Sequence, residues 1–127
     1  MKALNDTINK SLKALIVDDE VDICFLLSGI LRQKQLKPAF VNNLASAREV
    51  LQKDTPAILF LDNHLPDGFG LDFIPYVKTN YPQVKIVMIT AHDGLIEREK
   101  ARAEGADLFI SKPFTREVID YAVKNLL

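Results

Sequence analysis

The sequence predicts a doubly wound α/β fold: a five-stranded parallel sheet of order 2-1-3-4-5 with helices on both faces. Five short apolar runs, at 14–17, 39–41, 57–61, 86–89 and 108–110, alternate with helical patterns. The runs are continuous rather than alternating in and out, as in strands covered on both sides. Regular alternation of strand and helix implies parallel strands joined by crossover helices. The 127 residues are too few for a closed barrel of such units, which needs roughly 250.

Each helix has its own signature. Ile23, Cys24, Leu27, Ile30 and Leu31 fall at i, i+1, i+4, i+7 and i+8, one face of the first helix. Leu44, Ala47, Val50 and Leu51 make a shorter second stripe. Pro75 fits the start of a third helix that begins around Leu71 or Asp72, where a missing N–H is tolerated, and Tyr81-Pro82 ends that helix. The fourth helix is expected to begin near Asp93 and to stop at Gly105. From Glu97 to Glu104 it is mostly charge and alanine, leaving Leu95 and Ile96 as its main apolar anchors, and so weak an anchorage suits a moving part. Val118, Ile119, Ala122, Val123 and Leu126 form the last stripe. Residues 1–12 are polar and read as an N-terminal extension, with 13–127 as a single domain.

A composition 48% hydrophobic and 26% charged is that of an ordinary globular protein, and a net charge of -1 argues against bulk attraction to nucleic acid or anionic membranes. The single cysteine, Cys24, cannot form an internal disulfide and reads as a small buried hydrophobe. No apolar run approaches the ~18 residues of a membrane span, and the N-terminus carries no secretory apolar segment. The expected location is the cytoplasm.

In open α/β sheets ligands bind beyond the carboxyl ends of the strands, where strand order reverses, here between strands 1 and 3. Strand 1 ends in Asp18, Asp19 and Glu20, strand 3 in Asp62, strand 4 in Thr90, and strand 5 in Ser111, Lys112 and Pro113. Strand 2 ends in Asn42, away from that point. Taken singly, each has a structural reading: Asp19 or Glu20 as a helix cap, Asp62 as a turn residue before Pro66-Asp67-Gly68, Thr90 as a cap, and Lys112 as a solvated charge. Taken together they place carboxylates from two neighbouring strands beside a fixed cation and a hydroxyl. Converging carboxylates call for a counter-charge, and a hard divalent cation, Mg²⁺, suits oxygen ligands of this kind. A carboxylate nucleophile in such a setting forms an acyl phosphate, and phosphoryl transfer depends mainly on positioning and charge.

With these residues in place, the chain strongly resembles the receiver domains of bacterial two-component response regulators, a flavodoxin-like (βα)5 family. The matching stretches are Leu15-Ile16-Val17-Asp18-Asp19-Glu20, Leu59-Phe60-Leu61-Asp62 with Leu65-Pro66-Asp67-Gly68, Met88-Ile89-Thr90-Ala91-His92, and Gly105-Ala106-Asp107 with Lys112-Pro113-Phe114. The resemblance implies that Asp62 is the phosphoacceptor. Asp19, Asp62 and the His64 backbone carbonyl would ligate Mg²⁺ (or Mn²⁺), with Asp18 contributing through a water. Thr90 and Lys112 would contact phosphoryl oxygens, Thr90 and Phe109 would form the switch, and Lys112-Pro113 would be cis. The implied donor is a sensor histidine kinase or a histidine phosphotransfer protein. The implied output is an altered helix 4–strand 5–helix 5 face that controls a partner or output domain, with a phosphorylation-dependent dimer among the states. It implies a signalling domain that acts only on its own phosphoryl group, with no direct nucleic-acid or membrane binding. His64 and His92, two residues after Asp62 and Thr90, read as side chains at the rim of the pocket.

Competing readings fit less well. A haloacid-dehalogenase-type phosphatase wants a second Asp at the position of His64. A flavin domain would need a phosphate cradle where Asp18-Asp19-Glu20 stand. Gly68-Phe69-Gly70 lacks the third glycine of a dinucleotide fingerprint, and Pro66 occupies a ligand position of a calcium loop. A degenerate receiver that only binds partners is the nearest rival, and it is disfavoured because every residue the chemistry needs is present.

Overall fold

The computed structural model describes residues 12–91 and 94–127. Five parallel strands, β1 (Lys13–Val17), β2 (Lys37–Val41), β3 (Ile58–Leu61), β4 (Lys85–Thr90) and β5 (Leu108–Ser111), form one sheet of order β2-β1-β3-β4-β5. They are followed in turn by α1 (Val21–Gln33), α2 (Leu44–Lys53), α3 (Gly70–Asn80), α4 (Leu95–Glu104) and α5 (Arg116–Leu126). The expected order 2-1-3-4-5 is the one observed. A short antiparallel hairpin, His64–Leu65 with Gly68–Phe69, is inserted between β3 and α3. Of the expected N-terminal extension, residues 1–11 lie outside the described residues, as do His92 and Asp93.

Strand side chains alternate between two cores. Leu15, Val17, Leu59, Leu61, Ile86 and Met88 face α2, α3 and α4, whereas Ala14, Ile16, Ile58, Phe60, Val87 and Ile89 face α1 and α5. Both faces of the central strands are thus covered, which is why their sequences run continuously apolar. The edge strand β2 differs: Ala39 is exposed and Phe40 and Val41 are only half-buried, because an edge strand lacks a neighbour on one side. Pro38 is tolerated on it for the same reason.

Two expectations are corrected. α3 begins at Gly70, earlier than Leu71 or Asp72, so Pro75 lies in its second turn rather than at its start. There it removes the hydrogen bond that the Leu71 carbonyl would otherwise accept. Leu95 and Ile96 do not anchor α4, since they are 74% and 81% exposed, and Ala101 is that helix's buried residue. The residues three and four positions on from Leu95 and Ile96 are Arg98, Glu99 and Lys100, so no apolar stripe extends from them. α4 itself starts at Leu95 behind an N-cap at Gly94. Gly105 closes it in the left-handed region, φ 116°, as its position suggested.

Candidate functional site

The sheet ladder continues one residue past β1 and β3. The Asp18 N–H donates to the Val41 carbonyl at 3.1 Å and the Asp62 N–H to the Val17 carbonyl at 2.9 Å. These bonds set the Asp18 and Asp62 carboxyls side by side at the ends of adjacent strands, both buried. Lys112, following β5, reaches between them: its Nζ lies 2.8 Å from Asp18 Oδ2 and 3.5 Å from both Asp62 Oδ2 and Glu20 Oε1. The Lys112-Pro113 peptide is cis, as the resemblance implied. Thr90, the last residue of β4, is buried beside β5, in register with Ser111.

Each carboxyl is held at its other oxygen. The Glu20 N–H donates to Asp18 Oδ1 at 2.9 Å and the Asn63 N–H to Asp62 Oδ1 at 2.8 Å. Burial pushes the Asp62 carboxyl above its ordinary range, and the charge of Asp18 adds to the rise, against Lys112 and the Asn63 amide. Burial likewise raises Asp18, against its bonds to Lys112 and the Glu20 amide. For Lys112 burial alone favours the neutral amine, but the bond to Asp18 and the fields of Asp18, Asp62 and Glu20 outweigh it and hold the ammonium above its usual range. The site is a buried anion pair clamped by one cation.

A metal fits this donor set. Asp18, Asp19 and Glu20 can each offer a carboxylate oxygen, and these atoms lie within 4.8 Å of one another. Asp62 is outside that trio and joins it through Lys112. Glu20 occupies the N-cap position of α1 without a side-chain cap bond, so the acidic run is not spent on capping the helix. Among the other candidates, His64 is exposed, its ring edge-on to Phe69 with centroids 5.4 Å apart. His92 lies outside the described residues. Phe109 is half-buried, and the Arg98 guanidinium carbon sits 5.0 Å above its ring while Arg98 Nη2 donates to Ser111 Oγ at 2.9 Å.

Three residues near the site were not identified as such in the sequence. Asn42 follows the edge strand β2, one strand removed from the point where strand order reverses, yet its Nδ2 donates to the Asp18 carbonyl at 2.8 Å. Asp67 accepts from the backbone amides of Leu44 and Ala45 at 2.8 and 2.9 Å. These bonds tie the loop after Asp62 to the first turn of α2 and hold the Asp67 carboxyl below its usual range. Gly70 packs against the Asp62 backbone, where a Cβ would lie 2.2 Å from the Asp62 carbonyl oxygen and 3.0 Å from Leu61 Cγ.

The last contact gives a prediction. Gly70→Ala must displace the start of α3 or the Asp62 loop, and overpacking of this kind costs about 1–3 kcal/mol. The urea midpoint of the variant is expected to fall accordingly. An unchanged midpoint would mean that the loop yields freely and does not fix Asp62.

A model of the response regulator receiver domain matches residues 14–124. The response regulator protein PilR of Pseudomonas aeruginosa is 41% identical over 101 residues, covering 80% of this chain and 23% of PilR. The chain therefore spans less than a quarter of that relative's length. Among solved structures, the beryllofluoride-activated NtrC4 receiver domain dimer has a TM-score of 0.86 and 32% identity, covering 90% of this chain and 94% of that one. The receiver domain of NtrX from Brucella abortus has a TM-score of 0.84 and 31% identity, covering 90% and 97%.

Proposed function

This chain belongs to the family of response regulator receiver domains of two-component systems, and from that premise we propose that it accepts a phosphoryl group on Asp62 and uses it as a switch. The observation that carries the reading is the placement of Lys112 Nζ between the buried carboxyls of Asp18 and Asp62, at 2.8 and 3.5 Å.

An Asp62 carboxylate oxygen attacks the phosphorus of a phosphohistidine. The O–P bond forms, the P–N bond breaks, and the electron pair leaves with the imidazole. Asp19, Asp62 and the His64 carbonyl would hold Mg²⁺ (or Mn²⁺), with Asp18 acting through a water. Mg²⁺ supplies charge to offset the crowding of carboxylate and phosphoryl oxygens. Lys112 gives up part of its contact with the carboxylates for a phosphoryl oxygen, and the Thr90 hydroxyl donates to another. Hydrolysis reverses the modification when water attacks phosphorus and the Asp62 carboxylate leaves. The donor is a sensor histidine kinase or a histidine phosphotransfer protein, and the output is a partner or domain that reads the α4–β5–α5 face. The activated NtrC4 receiver is a dimer, and a phosphorylation-dependent dimer is proposed for this chain on that likeness. Among the described residues no helix is long and apolar enough to cross a membrane, and a cytoplasmic location is proposed.

The reading is tested by incubating the protein with a small amidophosphate, with and without Mg²⁺, and measuring intact mass. One phosphoryl increment is expected, and only with Mg²⁺. No increment, or one indifferent to the metal, overturns it.

The switch has its own test. Phosphorylation shifts a conformational population only through contacts made better in one state than the other, and a Thr90–phosphoryl hydrogen bond is such a contact. Drawing Thr90 toward the phosphoryl group lets Phe109 turn inward, away from Arg98. Thr90→Ala is expected to accept the phosphoryl group but to show much smaller NMR shifts in α4 and β5. A response of wild-type size in Thr90→Ala would refute the coupling.

A further inference from the structure

Asp18 is held from every side. Its N–H is bonded to Val41, one carboxylate oxygen to the Glu20 amide and the other to Lys112. Its carbonyl takes two donors, the Asn42 amide nitrogen at 2.8 Å and the Cys24 thiol at 3.3 Å. The thiol is a reliable donor only while protonated. Burial, together with the charge of Asp18, pushes it up to about 11. A thiol is nonetheless a weak donor, so Asn42 provides the stronger of the two contacts. The carbonyl of Asp18 belongs to the same planar peptide unit as the N–H of Asp19. Fixing that oxygen therefore fixes the plane from which Asp19 departs. The Asp19 side chain is exposed, so its direction depends largely on where its backbone points.

We propose that Asn42, at the end of the edge strand β2, is a positioning residue for the metal site: by anchoring the Asp18 carbonyl it aims Asp19 at Mg²⁺. The inference rests on the reading of Asp19 as a metal ligand and adds a side chain from the end of a strand that otherwise meets the site through the Val41 carbonyl. Groups that orient a ligand commonly cost about 10- to 100-fold in metal affinity when removed. Asn42 acts through a backbone plane, which places it at the low end of that range.

The test is a Mg²⁺ titration followed by amide NMR on wild type, Asn42→Ala, Asp19→Asn and the double variant. Asn42→Ala is expected to weaken Mg²⁺ binding about tenfold and, before any metal is added, to shift the Asp19 amide resonance. In the Asp19→Asn background the same substitution should cost much less, because Asn42 acts through Asp19. A residue that merely stabilised the fold would lower affinity equally in both backgrounds. Asn42→Ser, whose hydroxyl falls short of the Asp18 carbonyl, is measured alongside with the same expectations, so that failure of one variant to fold leaves the test intact. Wild-type affinity in the Asn42 variants beside a weakened Asp19→Asn overturns this inference alone, as does an equal loss in both backgrounds. A wild type that does not respond to Mg²⁺, or an Asp19→Asn variant that binds as tightly as wild type, overturns the ligand reading and this inference with it.

Discussion

Asp62→Asn is expected to remain at its unmodified mass under conditions in which the wild type gains one phosphoryl group. The amide is nearly isosteric but is no nucleophile, so the acyl phosphate cannot form. Among the described residues no neighbouring carboxyl is set to replace it. Asp18 is held more closely by Lys112 than Asp62 is, at 2.8 Å against 3.5 Å, while Asp19 and Glu20 are exposed at the rim. The substitution also removes a charge that burial already disfavours, so the metal-free fold should be no less stable at neutral pH. Loss of uptake with a retained melting transition therefore identifies the acceptor, and equal uptake by variant and wild type would dismiss it.

Lys112→Met should produce the largest change in stability. It keeps most of the aliphatic stem but leaves Asp18 and Asp62 buried without their cation. Removing one partner of a buried ion pair costs about 3–5 kcal/mol when nothing else compensates. Protonation is the available compensation, and it fixes the pH dependence. Both carboxyls already lie above their ordinary range in the folded wild type. Folding therefore takes up protons across the carboxylate range, and the stability these groups contribute falls as pH rises through their folded pKa values. Without Lys112 those values rise further. The deficit of the variant should be greatest near neutral pH and shrink as pH falls toward the carboxylate range. Added Mg²⁺ should reduce it as well, since a ligand of the folded state stabilises that state. Urea unfolding at neutral and acidic pH, with and without Mg²⁺, measures all of this. A deficit of constant size would show that Lys112 contributes packing rather than charge.

The parts of this molecule legible in its sequence are those governed by a period or by a strand end. The central strands could be read because burial on both faces makes a run such as Ile58–Leu61 wholly apolar. Asp18, Asp62 and Lys112 could be read as a group because a parallel sheet sends its strand ends to one side. Asn42, Asp67 and Gly70 could not, because each acts through a partner set by loop conformation. Asn42 meets a carbonyl 24 residues away and Asp67 meets amides 22 and 23 residues away. The clash that excludes a side chain at Gly70 is with a backbone oxygen rather than with a recognisable motif. Leu95 and Ile96 misled for a different reason: two apolar residues in one turn look like an anchor, but a stripe needs continuation three and four positions on.

The looseness of α4 has an arithmetic consequence. A helix docked through a full stripe buries several large side chains at about 1.5–3 kcal/mol each, more than one new contact elsewhere can offset. α4 buries Ala101, while Arg98 bridges it to Phe109 and Ser111 across an exposed surface. Moving it therefore sacrifices little. A hydrogen bond to a charged group contributes about 1.5–3 kcal/mol, and each 1.4 kcal/mol is roughly a tenfold change in an equilibrium constant. On the proposed reading, a Thr90–phosphoryl contact at the lower end of that range would bring a ten-to-one ratio of docked to shifted α4 to about one to one, and only at the upper end would it invert the ratio.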